Sequence, residues 1–263
     1  MTWFMVESTT LEAGAHPILS WLLYATVAAY ILALFATLIR PRVGGFILGF
    51  AIAIHLAAMV GRGLVIEFFP LTNKLESFSS AALGIGLVAM VGWRNERLYG
   101  ALQLAFAVAA MGVALTFSMD MSYPPPLLRT VWYPLHVPLS FLAFGTWIAA
   151  AAAAVCWFRD REVHWLEHVD HQVLWGLGLW SLSMVFGGVW GVVAWGAYFL
   201  WDPKVIWSVI LWFHYASFLH VRLTPSLRQR RWVRPAFALL GVVWIFVAYV
   251  GTSFFFGKSS HAF

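Results

Sequence analysis

Histidine and tryptophan are the residue types in this chain whose placement suggests chemistry. Nine histidines occur in a very apolar sequence. His136 stands in WYPLHVPLS, and His261 is third from the C-terminus in GKSSHAF. Between them runs Trp190–Trp207, WGVVAWGAYFLWDPKVIW. It carries Trp190, Trp195, Trp201, Trp207, the pair Tyr198–Phe199, and one acid–base pair, Asp202 and Lys204. Neutral imidazole offers a nitrogen lone pair to a metal, haem iron included. Indole is a broad, rigid face with one N–H donor, and it settles at membrane–water boundaries. The segment therefore reads either as an interfacial belt or as a platform for a large flat ligand. Two histidines beside such a platform meet the needs of haem: two axial nitrogens and flat walls.

The remaining histidines carry weaker signals. An ionisable side chain inside a membrane span is a functional candidate by default. His55 and His214 fall within apolar runs and are read as hydrogen-bonding to neighbouring helices. His220, in SFLHVR at the inner end of a run, is open between a snorkelling polar end and a haem ligand at a deeper level. The run HWLEHVDH spaces His164, His168 and His171 as a zinc site would. Glu167 and Asp170 interleave, so it is read as a solvated loop. His16 carries no signal.

The elements that must position these residues follow from composition. The chain has 263 residues, 62% hydrophobic and 10% charged, against about a quarter charged in soluble domains. Apolar runs long enough to span a bilayer fall near 18–39, 43–62, 77–93, 99–118, 137–158, 172–191, 204–222 and 235–254. The expected fold is all-α: a polytopic membrane protein of about eight helices forming one domain over 1–263. Alternate loops hold eleven arginines, from Arg40 to Arg234; the other loops and the termini hold Arg62, Lys74, Arg129, Lys204 and Lys258. By the positive-inside rule both termini are outside, as are 63–76, 119–136 and 192–203. The net charge of +5 then speaks of topology and not of nucleic acid. The lone Cys156 excludes an intrachain CxxC pair and a CxxCH haem-attachment site. The N-terminus shows no cleavage signal, so the first span is expected to remain. Pro124-Pro125-Pro126 is read as a stiff outer stretch, and Ala149–Ala154 as a surface for close helix packing.

Four motifs in this order resemble one family. WGAYFLWDPKVIWSVILWFHYASFLHVR resembles the WWD-domain signature of CcsA-type cytochrome c biogenesis proteins of the system II pathway, close to WGxxWxWDPKExW followed by a span ending in LHxR. FFPLTNKLESF (Phe68–Phe78) is similar to that family's HFPLSNLYESL. WYPLHVPLS and GKSSHAF stand where the family has its two outward histidines. The likeness covers the chain from about Phe68 to His261. It departs at Val205, where the family has Glu, and at Tyr198–Phe199, where another Trp is common.

The resemblance implies haem b as the group handled and His136 and His261 as its external axial ligands. His220 is implied as a transmembrane ligand of the iron. Trp190, Trp195, Tyr198, Trp201, Asp202 and Lys204 are implied to bind haem, with Asp202 counted beside the two outer histidines in the catalytic set. It implies a subunit of a cytochrome c synthase (haem lyase) that carries haem across the membrane. Haem is then presented for thioether attachment to the CxxCH of apocytochrome c. The thiols add across the vinyl groups, so the protein supplies position and no nucleophile. Implied partners are a CcsB (ResB) type membrane subunit, apocytochrome c, haem and membrane lipids. The expected location is a bacterial plasma membrane with the active face periplasmic, a thylakoid being the lesser expectation. On this reading His168→Ala leaves maturation intact. The alternative is a CcmC-like exporter handing haem to a chaperone; the WDPK form, and eight spans against six, argue against it.

Overall fold

The structure, a computed structural model, describes residues 12–252. A short strand β1 (Glu12–Gly14) precedes α1 (Pro17–Ile39), α2 (Pro41–Ile66), α3 (Lys74–Val91) and α4 (Arg97–Ala114). After β2 (Met121–Ser122) come α5 (Trp132–Asp160), α6 (Val163–Trp195), α7 (Pro203–Leu223) and the short α8 (Pro225–Gln229). The last described element is α9 (Val233–Ile245), continued by a π-helix over Phe246–Gly251. Eight of these helices are long and apolar enough to cross a membrane, counting α9 with its π turn. They coincide with the eight expected runs.

Helix α5 is the spine. Ala149–Ala154 are all buried in it, against α3, α4, α6 and α9. Small side chains let backbones approach where lipid gives no hydrophobic drive to association. Helices α3 and α5 approach closely at Gly84 and Gly145. A Cβ on Gly145 would stand 2.9 Å from the Gly84 carbonyl oxygen.

The two sets of loops gather at opposite ends of the bundle. At one end β1 pairs antiparallel with β2, Glu12 opposite Ser122. Here Arg62 and Glu76 form a fully buried ion pair, with Nη2 to Oε1 at 2.9 Å. The guanidinium also donates to the carbonyls of Met119 and Asp120 at 3.1 and 3.2 Å. The other carboxylate oxygen accepts from the Thr72 N–H and hydroxyl at 2.8 and 2.9 Å. Asn73 caps α3 by accepting the Glu76 N–H at 2.9 Å. The PLTN–LES stretch of the sequence motif is thus a clamp joining α2, α3 and the 119–122 segment. Nearby, Pro125 is extended and Pro126–Leu128 form one 3-10 turn, as the stiffness of the proline run leads one to expect.

At the opposite end the structure corrects one expectation. HWLEHVDH is no solvated loop; it forms the first turns of α6, which begins at Val163 and not near 172. His168 is buried, bonded to the Tyr99 hydroxyl and, at 3.3 Å, to Arg94. Asp170 is buried and accepts from Arg234 at 2.7 Å. His164, Glu167 and His171 face solvent. His168 and Asp170 face the ends of α4, α7 and α9, so low hydropathy hid a continuing helix. His168→Ala is therefore no neutral control, because it strands the buried Tyr99 hydroxyl.

Breaking the Arg62–Glu76 clamp leaves a buried charge uncompensated. Glu76→Gln is expected to cost about 3–5 kcal/mol, read as a lowered thermal midpoint of the purified protein in detergent. The double change Arg62→Met with Glu76→Met should recover much of that loss.

Candidate functional site

His136 lies in the first turns of α5, between Pro134 and Pro138. Its Nδ1 is 2.8 Å from the carbonyl oxygen of Ser183 on α6 and 2.9 Å from the Ser183 hydroxyl. A carbonyl oxygen only accepts, so Nδ1 carries the proton. The lone pair is then on Nε2, at the opposite edge of the ring. The Ser183 hydroxyl donates back to the His136 carbonyl at 2.9 Å and lies 2.7 Å from the Ser140 hydroxyl. This exchange ties α5 to α6 and sets the tautomer, as a partner on the second ring nitrogen does for metal-binding histidines generally.

Gly187, one turn beyond Ser183, makes the arrangement possible. A Cβ there would stand 2.7 Å from both Cε1 and Nδ1 of His136. Behind the ring is Trp190, 22° from parallel with centroids 6.2 Å apart. Trp190 is buried, and its indole N–H donates to the Leu127 carbonyl at 2.9 Å. The proline-rich loop thus holds Trp190, and Trp190 backs His136. Tyr133 and Trp195 pack on Trp190 at 4.9 and 4.7 Å between centroids. Helix α6 ends at Gly196, whose φ of 75° reverses the chain toward the segment Ala197–Asp202.

A cavity of about 350 Å³ opens over these groups, within the range of small-molecule sites. His136, Trp190, Trp195, Tyr198 and Lys204 all line it, as does Val205. Phe141 and Phe144 of α5 and Tyr249 of the π turn add aromatic wall. The π register is a local irregularity of the kind that recurs at functional sites. Lys74 and Lys204 are the lysines of the lining, which contains no Asp or Glu among the described residues. The Lys204 ammonium lies 5.8 Å from the centre of the Tyr249 ring. An apolar, aromatic slot with one imidazole nitrogen and two ammonium groups suits a flat ligand bearing a metal and an anionic edge.

The other expected residues are distributed differently. Trp201 is 85% exposed, packed edge-on against Phe199 and outside the cavity lining. Asp202 is buried and caps α7, accepting the Lys204 backbone N–H at 2.9 Å. Trp207 stacks on Trp244 between α7 and α9, so the four tryptophans are not one platform. His220 is exposed near the far end of α7, away from the cavity. His261 lies outside the described residues. His55 and His214 have the expected packing roles. His55 bonds the hydroxyls of Tyr30 and Ser79 through its two nitrogens at 3.1 and 2.8 Å. His214 reaches the Phe237 carbonyl at 3.1 Å and stacks on that ring.

Sequence reading missed Ser140, Ser183, Gly187 and Lys74. Lys74 lies inside a motif that was read only for its likeness. The Gly187–Gly188 pair, one turn ahead of Trp190 on an otherwise bulky helix, was the available signal for a close approach.

The chain is similar to proteins named cytochrome c biogenesis protein CcsA. The one from Trieres chinensis is 28% identical over 77% of this chain and 80% of its own length. Those from Gloeothece citriformis and Synechococcus elongatus are 25% and 26% identical, each over 82% of this chain and 86% of the relative. In structure it is similar to a chain named Cytochrome c Heme Lyase CcmF, with a TM-score of 0.66 at 20% identity. The match covers 95% of this chain and half of that one, so the likeness is one of fold. The family described as Cytochrome C assembly protein matches residues 20–257, nearly the whole length, and this chain belongs to that family.

Proposed function

We propose that this protein is the haem-handling subunit of a system II cytochrome c synthase, presenting haem for attachment to apocytochrome c. Family membership and CcsA-named relatives support the maturation role. The observation that carries the finer reading is His136, with Nδ1 donating to the Ser183 carbonyl and Nε2 without a hydrogen-bond partner among the described residues, on the wall of an aromatic cavity. Haem is the substrate of this reading. Nε2 would ligate its iron, the aromatic walls would take the porphyrin face, and Lys74 and Lys204 would attract its carboxylates.

His261 supplies the second axial nitrogen in this reading. It follows Thr252, a residue of the cavity lining, by nine residues. Nine residues of extended chain reach about 30 Å at most, enough to place an imidazole opposite His136. His220 faces out of the bundle, where a histidine from a CcsB-type subunit would complete a second, deeper site. The chain's own contribution to thioether formation is to hold the vinyl edge in place while thiols add. The cavity end would face the periplasm of a bacterial plasma membrane.

An absorption spectrum of the protein purified with a CcsB-type partner tests the ligand. Wild type should show a six-coordinate haem band that is lost or shifted in His136→Ala and in His261→Ala. His171→Ala, exposed and remote, should leave it unchanged. Haem bound identically in His136→Ala would overturn the assignment.

Gly187→Ala tests positioning. It should displace the His136 ring and lower cytochrome c maturation by about a hundredfold while the protein remains folded. Normal maturation would show that the ring is not held for ligation.

Topology has its own check, since Cys156 is fully buried. In intact cells an impermeant maleimide should label Tyr198→Cys and spare Gln229→Cys. The reverse pattern would invert the proposed orientation.

A further inference from the structure

We propose that the arginine-lined cavity at the opposite end of the bundle binds the phosphate of an anionic phospholipid headgroup. This cavity of about 480 Å³ lies between the start of α6 (Val163, Leu166), α8 (Pro225, Arg228) and the region entering α9 (Arg231, Arg234). Three of its lining residues are arginines and none is acidic.

The charges there are only partly compensated among the described residues. Asp170, set back from the lining, serves two guanidinium groups: Arg234 at 2.7 Å and Arg222 at 3.8 Å, both on the same carboxylate oxygen. Arg228 and Arg231 are exposed and make no ion pair among the described residues. Arg234 has only 12% of its side chain exposed. Its Nε is buried without a hydrogen-bond partner among the described residues. A buried N–H left unbonded is costly, and a guanidinium fork suits phosphate oxygens in bidentate geometry.

The surroundings select a lipid. Val163 is 51% exposed on the cavity wall, and Leu223 and Trp232, which flank the lining segment Pro225–Arg231 in sequence, are 77% and 54% exposed. Exposed aliphatic and indole groups next to arginines match the boundary between acyl chains and headgroups. Basic pockets between spans at that depth take anionic headgroups. A soluble phosphate would gain nothing from those apolar neighbours.

The test uses the full chain in nanodiscs mixing phosphatidylglycerol with phosphatidylcholine, with retained lipid counted by native mass spectrometry after release. Wild type should retain phosphatidylglycerol preferentially. The double variant Arg228→Gln with Arg231→Gln removes exposed side chains that make no ion pair, so folding should be intact. It should retain about twenty-five-fold less, at roughly fivefold per arginine. Phosphatidylcholine retention should not change. Equal phosphatidylglycerol retention in both proteins overturns the proposal. Binding of inorganic phosphate with no enrichment of phosphatidylglycerol overturns the lipid assignment. So does a loss of bound haem in the double variant with lipid retention unchanged, which would place a haem carboxylate there.

Discussion

A polar side chain inside an apolar helix bundle must find its partners within the bundle, because lipid offers none. That constraint organises this molecule. Arg62 and Glu76 satisfy each other and use their remaining atoms on backbone carbonyls and Thr72. His55 spends both ring nitrogens on hydroxyls. His136 differs in having one nitrogen committed to α6 and the other directed away from it. The same rule that makes His55 a packing residue makes His136 a candidate ligand.

The site depends on contacts that are themselves structural. Ser183 reaches His136 only because Gly187 lets the ring lie against α6. Trp190 backs the ring only because the loop after Pro126 accepts its indole N–H through Leu127. Asp202 starts α7 in the register that places Lys204 and Val205 on the cavity wall. Val205 adds an apolar group to that wall. The lining has positive and neutral groups alone among the described residues.

The two ends of the bundle use arginine differently. At the cavity end Arg62 is fully buried and neutralised, and it acts as a tie between segments. At the other end Arg222 and Arg234 share one carboxylate, and Arg228 and Arg231 have none among the described residues, which leaves a local excess of positive charge there.

Hydropathy alone determined the eight spans, because burying a helical backbone in lipid requires about twenty apolar residues in a row. It failed at 163–171, where polar residues pair with neighbouring helices and the helix continues beneath a polar pattern. The family resemblance grouped His136, Trp190, Trp195, Tyr198 and Lys204, and all five line one cavity. Spacing could not separate Trp201, which projects outward, from Trp207, which packs on Trp244. That distinction depends on where α6 ends and α7 begins. Nor could it find Ser183 and Gly187, whose importance arises from the face that α6 turns toward α5. The identity of the chemical groups is written in the chain; which nitrogen of His136 is left to act was decided by a neighbour 47 residues away.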